Sequence, residues 1–318
     1  MYALGIDGGG SRTRALLCDA YGQIIGQGLS GGTNPRTSSA AELKVHLQEA
    51  IEQATRSIDC SKIIAAHFGL AGAGDAETKA KVRKITKEVL GEQTTCTIGH
   101  DLEIALAGGL ANNTGIVLVA GTGSACYGRT CDGRSAKCGG WGDLVDDVGS
   151  GSWIGLRALQ ACVSQTDGRL PKSPLKQAVM DFLKIDHMNT FKARIHDSGL
   201  SRSERARLAP IILDLASAGD AVSIAIVAEG VDALSSCVLS TSRQLGIKTP
   251  SVLLAGGLLQ HTYFSNSLKA ALNTRIPSAI ITHPILSPTA GAVLMALKAT
   301  SCEISDAAID KLKEASYS

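Results

Sequence analysis

Three apolar runs in this chain end in glycine-rich loops, and such loops can hold an anion. Glycine adopts positive φ and places no side chain between main-chain N–H groups and a ligand, so a loop of this kind after a strand can wrap a phosphate. None of the three matches a Walker A motif or the dinucleotide fingerprint. Each of the three loops, taken alone, could equally be a tight turn without a ligand. The loops are Gly8-Gly9-Gly10, Gly121-Thr122-Gly123-Ser124 and Gly256-Gly257.

Strands and helices must position these loops. Short apolar runs predict strands, and apolar side chains at helical spacing predict helices. A strand, glycine loop, strand and turn in residues 2–22 recur in residues 116–133, which is a weak internal repeat. The pattern predicts an α/β protein with mixed sheets. The strands are predicted at 2–7, 15–18, 116–120, 125–130 and 251–255, and the helices at 43–58, 82–89, 224–238, 288–299 and 305–315.

Length and composition indicate a folded protein of two domains. The 318 residues exceed the roughly 100–150 of a common domain. Charged residues, 31 basic and 29 acidic, are dispersed along the chain, which gives no basic patch for nucleic acid. No signal peptide is recognisable, and no run reaches the ~18 apolar residues of a membrane helix. We expect a cytoplasmic protein whose partners include neither nucleic acid nor a membrane.

Nine cysteines at irregular spacing fit reduced thiols better than a disulfide framework. Cys126, Cys131 and Cys138 form a group that could be interpreted as metal ligands. The group lacks a CxxC pair and a histidine at ligand spacing. Small, mostly buried hydrophobic side chains are therefore the preferred interpretation, with a metal site as the alternative.

The order of the motifs is more specific than any one of them. Asp7 ends the first strand, Ser11 and Thr13 follow in the first loop, Thr122 lies in the second, and a late strand ends in the third. This order resembles the phosphate-1, phosphate-2 and adenosine signature of the actin-like ATPase superfamily. Within it, the chain resembles the N-acetylglucosamine kinase and BadF/BadG-type ATPase family. The most specific motifs are Gly139-Gly140-Trp141-Gly142, Asp147 and Gly149-Ser150-Gly151-Ser152-Trp153-Ile154-Gly155.

The resemblance implies two actin/hexokinase-like (ribonuclease H-like) domains, each with a mixed five-stranded sheet flanked by helices, and a cleft between them. We expect residues 1–112 with the C-terminal helices 288–318 in the first domain and residues 113–287 in the second. The implied activity is ATP-dependent phosphorylation of an amino sugar, N-acetylglucosamine or glucosamine, at the 6-hydroxyl. The implied cofactors are ATP and Mg²⁺. Whether the protein forms a homodimer stays open.

The resemblance also implies roles for acids and loop residues. Family members carry a catalytic aspartate before the second phosphate loop, at the position of Asp101, where a carboxylate can accept the proton of the sugar hydroxyl. A helix N-cap is the alternative role for Asp101. His100 is interpreted as a packing or hydrogen-bonding residue. Asp7 is implied to hold Mg²⁺ through water, with turn capping as the alternative. ATP and its phosphates are implied to contact Gly9, Gly10, Ser11, Arg12, Thr13, Gly121, Thr122, Gly123, Gly256 and Gly257.

A sugar pocket follows from the same comparison. A tryptophan offers an apolar face to a sugar ring, and carboxylate and amide groups hold hydroxyls. Trp153 has helical spacing with apolar neighbours and is predicted to pack in the core. Residues 165–210 are predicted to form short helices without a chemical motif. The implied sugar contacts are Asn34, Asp101, Thr122, Ser124, Gly140, Trp141 and Asp147.

One departure from the family concerns the loop after Trp141. Relatives usually read Gly-Asp-Glu-Gly-Ser, where this chain has Asp146, Asp147 and Val148 before the glycine. The missing glutamate leaves the identity of the sugar open.

Two other functions share the fold. One is an ATPase activator of a radical dehydratase or reductase with a bridging iron–sulfur cluster, against which Trp141 and Asn34 argue. The other is a non-catalytic sugar sensor, against which Asp7 and Asp101 argue.

Overall fold

The computed structural model describes residues 1–111, 114–300 and 304–316. They belong to two units, the first formed by residues 1–115 with 283–318 and the second by residues 116–282. Each unit contains one five-stranded sheet. The strands are β1 (Tyr2–Gly8), β2 (Thr13–Asp19), β3 (Ile24–Ser30), β4 (Ile63–Leu70), β5 (Thr95–His100), β6 (Gly115–Ala120), β7 (Ser124–Arg129), β8 (Ser135–Gly139), β9 (Ser251–Ala255) and β10 (Ile280–Thr282).

Helices flank both sheets, as the resemblance implies. Short 3-10 turns occur at Cys60–Lys62, Met188–Thr190 and Gly257–Gln260. The helices are α1 (Ala40–Thr55), α2 (Ala76–Leu90), α3 (Asp101–Leu110), α4 (Gly151–Thr166), α5 (Pro174–Leu183), α6 (Phe191–Ser198), α7 (Arg202–Ala206), α8 (Ala209–Ser217), α9 (Ala221–Leu245), α10 (Thr262–Arg275), α11 (Pro288–Lys298) and α12 (Asp306–Ser316).

The first sheet has the order β3-β2-β1-β4-β5. Strand β1 is antiparallel to β2 and parallel to β4, and β4 is parallel to β5. Gly8 therefore pairs with Leu70, and Leu70 pairs with His100. Because parallel strands end at the same edge of a sheet, the residues that follow β1 and β5 lie at one edge.

Two hydrophobic cores cover the faces of the first sheet. Leu4, Ile6 and Phe68 pack with α1 and α2 on one face. On the other face, α11 packs closely on β1: a Cβ atom added to Gly5 would lie 2.5 Å from the backbone nitrogen of Val293. The C-terminal segment is thus part of the first unit's interior.

The second sheet repeats the order of the first. Its order is β10-β9-β6-β7-β8, so that β8-β7-β6-β9-β10 corresponds, position by position, to β3-β2-β1-β4-β5. The weak sequence repeat reflects this duplicated topology.

The core of the second unit packs around α4, α9 and the sheet. Within the described residues, α9 is the one helix long and apolar enough to cross a membrane, but 50% of its apolar window is buried inside the protein. A core helix passes the same length and hydropathy test.

Candidate active site

Asp7 and Asp101 lie at the same edge of the first sheet. Asp7 pairs with Gly69 across β1 and β4, and Gly69 pairs with Gly99, two residues before Asp101. Burial raises the pKa of Asp7 to about 6, and the negative charge of Asp101 adds to the increase. The two carboxylates are therefore within electrostatic reach of each other.

Asp101 is the first residue of α3, whereas His100 is its N-cap. The alternative role of Asp101 as the helix N-cap is therefore wrong, because His100 occupies that position. His100 Nδ1 lies 2.5 Å from Asp101 Oδ1, and the Leu102 N–H donates to that same oxygen at 3.0 Å. The Asp101 side chain remains 37% exposed. These contacts fix the direction of a carboxylate that still reaches solvent.

The first glycine loop rests on the segment after β3. The Gly9 carbonyl accepts the Thr33 N–H at 2.9 Å, and the Thr13 hydroxyl donates to Gly31 O at 2.7 Å. Thr13 and Thr33 are both fully buried, with their hydroxyls 2.8 Å apart. Thr13 thus positions the loop, while Gly10, Ser11 and Arg12 are exposed at its tip.

Asn34 has an internal role in this structure. Its Oδ1 accepts the Arg36 N–H at 2.9 Å and lies beside Gly72, where a Cβ atom would collide with it. The predicted sugar contact through Asn34 stays a prediction.

The second glycine loop is tied to the start of α4. The Gly121 carbonyl accepts the Gly151 N–H at 2.8 Å, and the Thr122 carbonyl accepts the Ser152 N–H at 3.2 Å. Gly256, with φ +113°, passes so close to β6 that a Cβ atom would collide with the Ala120 carbonyl. The second and third glycine loops are therefore both anchored to rigid elements of the second unit.

Asp147 is buried in the second unit at 2% exposure. Its carboxylate accepts the backbone N–H of Ser124 and pairs with Arg202. Burial raises the pKa of Asp147, and the Arg202 guanidinium opposes that increase. Its φ of +58° is left-handed, a conformation that costs energy in a residue other than glycine and often occurs at functional sites.

Arg202 and Arg205 in α7 were missed by the sequence analysis. They pair with Asp147 and Asp143, respectively. Each ion pair joins the segment after β8 to a helix more than 50 residues later, so spacing in the sequence gave no signal. Residues 165–210 form short helices, as predicted, and one of them, α7, supplies both arginines of these ion pairs.

The two tryptophans have different environments. Trp141 is 81% exposed and follows Gly140, which has a φ of +74°. Trp153 packs on the core of the second unit, and the Arg157 guanidinium lies 5.6 Å from its ring centroid. The core prediction for Trp153 is confirmed, and Trp141 has a free face.

The cysteines show no metal site in the part of the chain that the structure describes. Eight cysteines there are free thiols, and no group of three or more His, Cys, Asp or Glu side chains is arranged to hold a metal. Cys126 and Cys138 lie opposite each other in the backbone pairing of β7 with β8, as free thiols. Cys131 lies exposed beyond the end of β7. Cys302 lies outside the described residues.

The edge of the first sheet fits hydrated Mg²⁺ and a phosphate. Asp7 is partly buried and has a raised pKa, and the carboxylate of Asp101 lies nearby. A divalent cation would stabilise the ionised form of such a side chain. Mg²⁺ keeps several waters and needs only one or two carboxylates, so a larger cluster is not required. At Gly10 no atom lies within 4 Å of an added Cβ position, which leaves the backbone open to a ligand.

Known proteins match almost the whole chain. The sequence model of the BadF/BadG/BcrA/BcrD ATPase family matches residues 4–296. An N-acetylmuramic acid/N-acetylglucosamine kinase of Clostridium acetobutylicum is 33% identical over 303 residues, covering 93% of this chain and 98% of the relative. An N-acetyl-D-glucosamine kinase of Dictyostelium discoideum is 28% identical over 309 residues, covering 92% and 97%. A solved structure of a candidate N-acetylglucosamine kinase from Chromobacterium violaceum has a TM-score of 0.73 at 26% identity and covers 92% and 98%.

Proposed function

Because the chain belongs to the BadF/BadG/BcrA/BcrD ATPase family, we propose that it transfers the γ-phosphoryl group of ATP to the 6-hydroxyl of N-acetylglucosamine or glucosamine. At a coarser level, the chain is an ATP-dependent amino-sugar kinase, as the names of its curated relatives indicate. The iron–sulfur activator is not favoured. The observation that carries the proposal is the pair Asp7 and Asp101 at the edge of the first sheet, beside an open glycine loop.

In this proposal Asp101 is the general base. Its carboxylate accepts the proton of the sugar hydroxyl as that oxygen bonds to the γ-phosphorus and the bond from the γ-phosphorus to the bridging oxygen of ADP breaks. The Leu102 N–H donates to Oδ1 of this carboxylate and so favours one orientation of the side chain. A fixed carboxylate loses little entropy when the sugar binds.

Asp7 and the glycine loops bind the nucleotide in the same proposal. Asp7 would hold Mg²⁺ through water, and the bound cation would supply positive charge to oppose that of the phosphates. Backbone N–H groups around Gly10 and Gly121 donate hydrogen bonds to phosphate oxygens. Each glycine loop is held by hydrogen bonds or close packing within its own unit, so little ordering is needed on binding.

The test is a coupled assay of ADP release with a panel of N-acetylglucosamine, glucosamine, glucose and N-acetylmannosamine. Asp101→Asn is expected to lower kcat about 10²–10⁴-fold, with little change in sugar affinity, because the amide cannot accept the proton. Asp310→Asn is a matched control, since Asp310 is exposed and its ion pair is with Lys313, three residues away on the same helix. Equal loss of binding and rate in Asp101→Asn would remove the catalytic role.

A further inference from the structure

Two consecutive glycines, Gly31 and Gly32, follow strand β3 and lead into the segment that supports the first glycine loop. Neither of them has a positive φ, so the backbone conformation does not require glycine at either position. A Cβ atom added to Gly32 would lie 2.3 Å from the Gly10 carbonyl oxygen and 3.1 Å from the Ser11 nitrogen. Gly32 therefore packs directly against the backbone of the first glycine loop, and a side chain there would displace that loop.

The same glycine pair contacts a histidine of helix α1. His46 Nδ1 lies 2.8 Å from the Gly32 carbonyl oxygen. Because a carbonyl oxygen only accepts, Nδ1 carries the proton of this hydrogen bond, both in the neutral and in the protonated ring. A Cβ atom added to Gly31 would lie 2.5 Å from His46 Cε1. The imidazole thus covers Gly31 and holds the carbonyl of Gly32 at the same time.

The contacts of Gly32 are linked to those of the next residue. The Gly32 carbonyl also accepts the Ser38 hydroxyl, at the longer distance of 3.3 Å. Thr33 donates its backbone N–H to the Gly9 carbonyl at 2.9 Å. Because Gly32 and Thr33 are adjacent, a shift of Gly32 would disturb this hydrogen bond together with the packing on the loop. The shorter hydrogen bond from His46 opposes such a shift.

We infer that His46 is a positioning residue for the nucleotide, which acts through the glycine pair to hold the backbone of residues 9–11. The inference rests on the proposed function, in which this loop binds the phosphates of ATP. Backbone N–H groups bind a phosphate well when they already point at it. A loop that is held in place before binding loses less conformational entropy when the nucleotide arrives. His46 needs no contact with ATP in order to raise its affinity.

The test measures the Kd of Mg-ATP by calorimetry, together with the KM values for ATP and N-acetylglucosamine, in full-length variants. His46→Ala removes the donor and the ring, and is expected to weaken Mg-ATP binding about 5- to 20-fold with little change in the KM for the sugar. His46→Asn, whose amide can replace the Nδ1–H donor, is expected to recover part of this loss. Gln48→Ala is the matched control, since Gln48 is exposed on the same helix and bonds to Glu52. It should bind Mg-ATP as the wild type does.

A second comparison tests the packing between the imidazole and Gly31. Gly31→Ala places a methyl group against His46 and is also expected to raise the Kd of Mg-ATP. In Gly31→Ala/His46→Ala the methyl group no longer meets the ring. The double variant should therefore lose less affinity than the product of the two single losses. Single losses that simply multiply would contradict the packing argument.

Calorimetry separates positioning from a role in folding alone, because unfolded protein lowers the apparent stoichiometry and leaves the Kd unchanged. A wild-type Kd in His46→Ala would overturn the inference, and so would a raised KM for the sugar alone. Either result would leave the proposed function intact. Wild-type protein that binds Mg-ATP but phosphorylates no sugar would instead overturn the proposed function, and the Kd series would still decide the role of His46.

Discussion

Replacing Asp7 by asparagine is expected to stabilise the first unit at neutral pH when Mg²⁺ is absent. Burial and the charge of Asp101 raise the pKa of Asp7 from 3.8 to about 6. Below pH 3.8 the carboxyl carries its proton in both the folded and the unfolded chain. As the pH rises toward 6, the unfolded chain loses its proton first, so the wild-type protein loses stability, and above about 6 the loss is complete. Asparagine cannot ionise and avoids this loss.

The size of the effect follows from the shift in pKa. A gap of about 2 pH units corresponds to ~3 kcal/mol, since each unit is worth ~1.4 kcal/mol. The Asp7 side chain is only partly buried, which reduces the penalty. We therefore expect Asp7→Asn to gain about 1–3 kcal/mol relative to wild type between pH 4 and pH 7.

The assay must report on the first unit. Trp141 and Trp153, the two tryptophans of the chain, both lie in the second unit, so tryptophan fluorescence would follow the wrong transition. Amide hydrogen exchange of peptides from β1 and β2, measured across a urea series at pH 5 and pH 8 in EDTA, follows the right one. Asp310→Asn serves as the exposed control and should show no pH-dependent difference.

Two results would refute this reasoning. If Asp7→Asn differs from wild type by the same free energy at pH 5 and pH 8, Asp7 does not titrate in this range. Excess Mg²⁺ is expected to stabilise the wild type and not the variant, because only the wild type offers the carboxylate. Equal stabilisation of both proteins would show that Asp7 is not the metal ligand.

Two predictions concern the loops. Gly256→Ala should cost about 2–5 kcal/mol, because its Cβ would collide with Ala120 O at a φ that disfavours side chains, whereas Gly257→Ala, whose added Cβ has no atom within 4 Å, should cost little. Urea unfolding followed by tryptophan fluorescence measures both, and equal losses would contradict the argument. Thr33→Val should cost about 1 kcal/mol by removing the buried hydroxyl contact with Thr13, and Thr33→Ser should retain that contact. Hydrogen exchange of β2 measures this loss. Exchange rates in Thr33→Val equal to those of the wild type would refute the argument.

The fold was largely predictable because local patterns and the global topology agree. The apolar run of residues 251–255 is β9, with the predicted bounds, and Pro288 opens α11 at its first turn. The repeat in residues 2–22 and 116–133 predicted two similar units, and the two sheets have equivalent strand orders. The helix predicted at residues 43–58 ends earlier, at Thr55, because its C-cap is Arg56 and Ile58 packs from outside the helix.

The site was less predictable where long-range contacts decide the role of a residue. Asp101 follows a strand, so its position at the sheet edge could be predicted. The N-cap role of His100 depends on how the chain leaves β5. The burial of Asp147 depends on Arg202, 55 residues away, and no spacing rule connects the two. Such contacts follow from tertiary packing alone.

The discontinuity of the first unit has a consequence for biosynthesis. Helix α11 covers one face of the first sheet, yet it is made more than 180 residues after the last strand of that sheet. The second unit is continuous from 116 to 282 and can complete its core on the ribosome. The first unit cannot complete its core until the C-terminal segment leaves the ribosome. Until then, one face of its sheet stays exposed, including Ala3, Leu16 and Ala65. Chaperone binding during synthesis is therefore expected to concentrate on the N-terminal sheet, although it is the first part of the chain to be made.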